Sequence, residues 1–386
     1  MKLQETGVKY ICILLLNLVL ITGCGTGDGL PHGSNKELVK TGFAFNTTYT
    51  ITLYAGGSEE LLDKCVSKCN GFEKIFSRTL KGSELYNINE IEKAYKDYLS
   101  KAGRDIKIKK GDTSFIEDGI KKLADPSNQA TFHLNTDGSI SFEVSDILYE
   151  ILEKGLYYSE ISDGCFDITI EPESSLWQFM ADNPEVPEDS QIKEAVKLTG
   201  YKNAVLKDGQ LVLKIPGMGI ELGAIAKGFI ADKLKEYLAG SGVTSGTINL
   251  GGNVLCIGKK TDGTPFRIGI QQPFADRNEI ITAIKAEDIS VVSSGIYERY
   301  FKKDGKIYHH ILDPSTGYPY NNGLEAITII SKKSTDGDAL STTCFALGLE
   351  KGMEFAESLS GVYAVFITED GEMHYSEGFQ EMEIKN

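Results

Sequence analysis

The sequence predicts an α+β fold, a two-lobed single body of mixed sheets with packed helices. Three observations predict it. With 386 residues, 41% of them hydrophobic, the chain holds apolar material for one large core or two smaller ones. Its second half strings short apolar strands between Gly turns, interrupted by helical stretches rather than by regular βα alternation. No internal repeat divides it, which excludes solenoids and propellers.

Residues 1–23 read as a signal peptide. Lys2 and Lys9 precede an apolar stretch from Tyr10 to Ile21, which closes on Thr22, Gly23 and Cys24. At about twelve residues it is too short for a membrane-spanning helix, which needs roughly twenty. The closing residues form a lipobox, making Cys24 the lipidation site whose acyl chains hold the protein to a membrane; an ordinary signal with a chance Cys is the competing reading. Residues 24–37, Gly-rich at their start, read as a lipidated flexible tether, and 38–386 as the folded domain.

Leu38 to Tyr54 is β-rich, and Glu59 to Ile75 has helical spacing that sets Leu62, Cys65, Cys69 and Phe72 on adjoining faces. Residues 90–132 are dense in Lys, Asp and Glu and carry a breaker at Asp125-Pro126, so they read as a charged, solvated surface insertion. Val144 to Tyr158 is an amphipathic helix capped by Ser145. Ser190 to Leu198 reads as helix, and Ala204 to Ile215 as a hairpin around Lys207–Gln210. Gly223 to Leu238 is a helix with a small-residue first turn and a projecting Lys227. Strands follow at about 247–250, 267–271, 280–284, 291–293 and 327–330, then a helix from about Asp338 to Leu347.

Forty basic against fifty-five acidic residues leave a net charge of −15, which excludes nucleic acid as a broad partner. Seven Cys include Cys12 in the signal and Cys24 at the lipobox; the odd remainder argues against a disulfide framework, and neither CxxC pairs nor zinc-like His spacing occurs.

Three constellations suit chemistry. Asp338 and Thr342 stand four apart on one helix face near its N-terminal end, a hard-oxygen pair suited to Mg²⁺; a capping Asp and a Thr bonded to its own backbone fit the same spacing. Gly219 to Gly228 is a strand end turning into a helix through small residues, where a phosphate could meet backbone N–H groups with Lys227 to neutralise it; close helix packing explains the glycines equally well. It lacks P-loop spacing. The turn Asp313 to Gly317 places His310 at a strand end beside an irregular loop, while His309 faces the core.

The ordered set Gly164–Thr169 (GCFDIT), Glu221–Gly228 (ELGAIAKG), Asn249–Gly252 (NLGG), His310–Gly317 (HILDPSTG) and Asp338–Thr342 (DALST) resembles the FAD:protein FMN transferase (ApbE-type) family, with Ser83–Leu85 and Asn89 resembling its early SEL-xxx-N element. The resemblance implies an ApbE-like, T-fold-related body. It further implies a bacterial extracytoplasmic enzyme that binds FAD with Mg²⁺ and transfers FMN to a Thr or Ser hydroxyl of a target protein, releasing AMP. That target would be an extracytoplasmic acceptor flavoprotein of a membrane electron-transfer system. Carried over, Asp338, Thr342 and the Ala224 carbonyl are the metal ligands. Glu221 holds adenosine, Lys227 faces the pyrophosphate, Cys165, Phe166 and Asp167 line the adenine side, and His310 lies near the reacting phosphate. Asp338 or His310 is the base; the sequence leaves both open. Three departures mark this chain: Glu171-Pro172-Glu173 follows the FDIT element where Gly-Pro is common, Phe45-Asn46-Thr47 replaces an early Met-Gly-Thr, and Thr79 stands at an aromatic position among the cofactor-binding residues. Two other readings share these residues, an FAD pyrophosphohydrolase yielding FMN and AMP and a non-catalytic flavin-binding lipoprotein.

Overall fold

The computed structural model describes residues 37–102, 113–276 and 278–384. The expected signal peptide, Cys24 and the expected tether up to residue 36 lie outside the described residues. Among those described, no helix is long and apolar enough to cross a membrane.

The β-rich run at the start is two strands, β1 (Leu38–Ala44) and β2 (Thr47–Ala55), paired antiparallel with Ala44 opposite Thr47. The two residues between them, Phe45 and Asn46, have φ of 55° and 56°, the left-handed pair that a tight hairpin turn requires. Helix α1 (Glu59–Phe76) follows, N-capped by Ser58, with Leu62, Cys65, Cys69 and Phe76 buried. Burial pushes the Cys65 and Cys69 thiols up to about 11 and about 12, so both are inert core residues.

Residues 90–132 differ from the expected insertion. Helix α2 (Glu84–Ala102) runs into them and buries Leu85, Ile88, Ile91 and Tyr95, while α3 (Ser114–Leu123) buries Ile116 and Ile120. One apolar stripe at three- and four-residue spacing places these segments in the body, because the charges that dominate the composition sit on the other faces. Residues 103–112 lie outside the described residues.

Strands β3 (Phe132–Leu134) and β4 (Ile140–Glu143) lead to α4 (Asp146–Ile161), whose Ser145 cap accepts from Leu148 N at 3.4 Å. After a single turn α5 (Glu171–Ser174) and α6 (Asp189–Val196), the hairpin β5 (Ala204–Lys207) and β6 (Gln210–Leu213) completes a four-stranded antiparallel sheet in the order β3-β4-β6-β5. This is the smaller lobe.

The larger lobe, which also holds β1 and β2, resumes at α7 (Ala226–Gly240). Strands β7 (Ser245–Leu250), β8 (Asn253–Gly258), β9 (Phe266–Gln271), β10 (Ile280–Ala286), β11 (Ser290–Gly295), β12 (Tyr300–Lys303), β13 (Lys306–His309) and β14 (Leu324–Ser331) follow, then α8 (Ser334–Glu357), β15 (Tyr363–Thr368) and β16 (Met373–Tyr375). Eight strands make one antiparallel sheet in the order β1-β2-β7-β8-β11-β14-β15-β16. Period-two alternation divides its apolar residues. Ile327 and Ile329 join the main core with α7 and α8, while Ile330 and Val291 face a second cluster that includes Phe266 and Ile284 of the β9–β10 hairpin. The main core runs on into the smaller sheet through Leu134, Phe142 and Leu211. The fold is thus α+β: an eight-stranded and a four-stranded sheet share one core, and β9–β10 and β12–β13 form two further two-stranded sheets.

The seam between α7 and α8 positions the chemistry. A Cβ at Gly228 would lie 2.1 Å from Ser334 O, so only glycine allows this approach. Asp232 of α7 accepts from Ser334 N and Thr335 N, both at 2.9 Å, and from Thr335 Oγ1 at 2.7 Å, capping α8 from outside its own sequence. Hence α8 begins four residues before the expected start, and Asp338 sits in its second turn rather than at its end. The helix also continues past Leu347, changing direction at Gly348, φ 78°.

Candidate active site

A cleft of about 510 Å³ is lined by the β1–β2 turn, the end of α1, the 165–181 loop, the approach to α7, the segments flanking β12–β13, and α8. All ten residues singled out as catalytic, cofactor-binding or metal-binding line it: Thr79, Cys165, Phe166, Asp167, Glu221, Ala224, Lys227, His310, Asp338 and Thr342.

Asp338 is 2% exposed and both its oxygens have donors, Lys227 Nζ at 3.1 Å and Gly228 N at 2.9 Å. The Lys227 ammonium also donates to the Gly223 carbonyl at 3.2 Å. A cation therefore already rests on a carboxylate and a backbone carbonyl here, with Ala224 beside it and Thr342 one helical turn beyond Asp338. Among the described residues no cluster of three or more His, Cys, Asp or Glu could hold a metal. This corner instead offers one carboxylate, one hydroxyl and carbonyl oxygens. That set fits Mg²⁺, which keeps waters and takes substrate phosphate oxygens for its remaining positions.

Glu221 accepts from Gly223 N at 2.9 Å and pairs with Arg78 Nε, while Arg78 Nη1 stands 4.0 Å from Glu171. Arg78 thus faces the acidic residue that departs from the family pattern. The other, Glu173, is wholly buried and points no charge at the cleft. Neither carboxyl oxygen has a partner at hydrogen-bond geometry. Burial pushes it up to about 8, with Asp167 and Asp313 adding to the rise and the nearby Thr199 hydroxyl opposing it.

Asp167 serves the shape of the wall. Its carboxylate accepts from Thr169 N at 2.7 Å, Thr169 Oγ1 at 2.6 Å and Tyr201 N at 2.8 Å, and burial still raises its pKa. Phe166 is 3% exposed, Cys165 is half-buried with its thiol pKa raised by burial, and Thr79 is exposed at the rim.

His309 and His310 face opposite ways, as successive strand residues do. His309 is buried, with Nε2 on Tyr320 O at 2.8 Å and Nδ1 accepting from Ile311 N at 3.3 Å, which fixes a neutral tautomer. His310 lines the cleft, while its Nδ1 is buried and unpartnered. Burial first, then the Arg299, His309 and Lys227 charges, push it down to about 3. It is a neutral imidazole at ordinary pH.

Sequence reasoning missed Arg78, Arg299 and an aromatic wall. Trp177, the chain's one Trp, donates to Gly317 O at 2.9 Å and stacks on Phe179 with ring centroids 5.7 Å apart. The signal available was the cluster of Trp177, Phe179 and Met180 between breakers.

The ApbE family model matches residues 116–367. The chain belongs to the ApbE family. It is 39% identical over 229 residues to an FAD:protein FMN transferase of Klebsiella pneumoniae, covering 59% of this chain and 71% of that one. It is 36% identical over 256 residues to one of Treponema pallidum, covering 62% and 71%. Among solved structures, the ApbE protein of Thermotoga maritima superposes with a TM-score of 0.70 at 29% identity, covering 91% of this chain and all of that one. The flavin transferase ApbE of Vibrio cholerae shares the fold at 0.71 and 24% identity, covering 90% and 99%. The family match begins after Phe45, Arg78 and Thr79, so one wall of the ApbE cleft comes from chain ahead of the matched segment.

Proposed function

We propose that the protein is an Mg²⁺-dependent FAD:protein FMN transferase. The observation that carries this reading is the convergence of motifs far apart in sequence on one cleft that joins an aromatic wall to a carboxylate–ammonium–carbonyl corner. Among the described residues that cleft is lined by three cationic side chains (Arg78, Lys227, Arg299) and four acidic ones (Glu73, Asp167, Glu221, Asp338), so it is one positive charge short before any anion enters. A pyrophosphate ligand therefore calls for an added cation. When bound, Mg²⁺ supplies charge neutralisation at the phosphoryl oxygens, held by Asp338, Thr342 and the Ala224 carbonyl.

The acceptor Thr or Ser hydroxyl oxygen forms a bond to the FMN phosphorus, the pyrophosphate P–O bond breaks, and the bridging oxygen leaves with AMP. Lys227 neutralises the anion, and the walls hold the reactants in line. The hydroxyl proton goes to the His310 imidazole, which lines the cleft; both Asp338 oxygens are already engaged. Its low pKa comes from burial and neighbouring cations, and a bound pyrophosphate offsets those cations and raises it again.

Purified protein, FAD and MgCl₂ are incubated with a flavin-carrier domain of a membrane electron-transfer protein and with its target-Thr→Ala form. Fluorescent flavin bound covalently to the first and not the second is expected. AMP release without acceptor labelling would instead establish the pyrophosphohydrolase, and tight FAD binding without AMP release the non-catalytic binder. Cys24 acylation, which rests on the lipobox, would hold the enzyme on the extracytoplasmic face of a bacterial membrane; palmitate labelling lost in Cys24→Ala is the expected result.

A further inference from the structure

Three cations line the cleft and two are already engaged, Arg78 on Glu221 and Glu171, Lys227 on Asp338. Arg299 differs. Its side chain has no ion pair or hydrogen bond among the described residues, although the chain carries fifteen more acidic than basic groups. Local geometry explains why it faces the cleft. In the β12–β13 hairpin Tyr300 pairs with His309, and His310 N donates to Arg299 O at 3.1 Å, carrying the ladder one step further. Directly opposed residues share a face, so Arg299 lies on the same side as His310, away from the buried His309. A charge here is near enough to His310 to depress its protonation.

We propose that Arg299 is a further catalytic residue, whose guanidinium grips the non-bridging oxygens of the phosphoryl group in transfer alongside Lys227. The inference rests on the transferase reading. A planar fork with no competing carboxylate suits two phosphoryl oxygens, whereas a paired cation must first be released. Arg299 exchanges no proton. It offsets the charge that builds on those oxygens as the bond to the AMP oxygen breaks.

The test measures binding of ADP, adenosine, FAD and riboflavin to the full folded protein with MgCl₂, and single-turnover AMP release from FAD in the presence of the flavin-carrier acceptor domain, for wild type, Arg299→Ala and Arg299→Lys. Arg299→Ala is expected to weaken ADP and FAD by about tenfold or more, as for a lost charge-assisted hydrogen bond. Adenosine and riboflavin affinity should stay as in wild type, AMP release should slow by about 10²–10³-fold, and Arg299→Lys should restore part of both losses. Unchanged ADP affinity with undiminished AMP release overturns the proposal, as does an equal loss for riboflavin, which would mark Arg299 as merely shaping the cleft. Arg299-dependent ADP binding by a wild type that never cleaves FAD would overturn the transferase reading and the catalytic role together, leaving an anion contact.

Discussion

Two groups of buried acids lie within this fold and are treated in opposite ways. At the α7–α8 seam, Asp232 and Asp338 have a donor for every carboxylate oxygen, most of them backbone N–H groups of the facing helix. Around the smaller sheet, Glu173 has no partner at either oxygen and Glu92 has one at Oε2 only, Gly217 N at 2.9 Å, and burial pushes both up to about 8. Partnered acids fix the distance between two helices and present a cation corner. Unpartnered acids accept a proton and become ordinary, if costly, core residues.

The largest effect should come from the seam. Asp338→Ala removes the carboxylate from the cation corner, and covalent FMN transfer is expected to fall by about 10³-fold, the scale of losing a principal electrostatic contact; an undiminished rate would end the contrast drawn above. Gly228→Ala comes next. A methyl 2.1 Å from the Ser334 carbonyl must force the helices apart, and urea unfolding should show a loss of about 1–3 kcal/mol, the range for overpacking.

Glu173→Gln probes the unpartnered group through pH. A pKa raised from 4.5 to about 8 means that the folded state holds a proton which the unfolded chain has released. This contribution is complete below about pH 4.5 and lost as pH rises through 8. The variant should be more stable than wild type at pH 9, with the gap closing towards pH 4.5; parallel stability curves would show that Glu173 is not protonated in the fold. Smallest of all is Lys40→Ala. Its pair with Asp63, 2.6 Å but exposed on both sides, should leave the melting temperature unchanged.

The legibility of these features follows their range along the chain. Asp338 and Thr342 were readable because a shared helix face needs only four residues. The start of their helix was not, since its cap is Asp232, 102 residues earlier. The α2 stripe of Ile88, Ile91 and Tyr95 is hidden in composition by its charged neighbours and appears only when faces are separated. The β12–β13 hairpin went unread: its turn residues Asp304 and Gly305 have φ of 50° and 76°, but strands of four residues leave little alternation to detect. Arg299 was beyond reach. That it is unpaired depends on where every acid of the fold ends up.

The acidic body also governs how an anion arrives. With a net charge of −15 and a cleft that holds no excess of positive lining groups, the body repels incoming FAD over a range set by the Debye length, about 10 Å at moderate salt and longer at low salt. Enzymes that steer anionic substrates slow as salt is added. Here monovalent salt should quicken association by screening the body, while the short-range grip of the cation corner, once the anion is inside, is little affected.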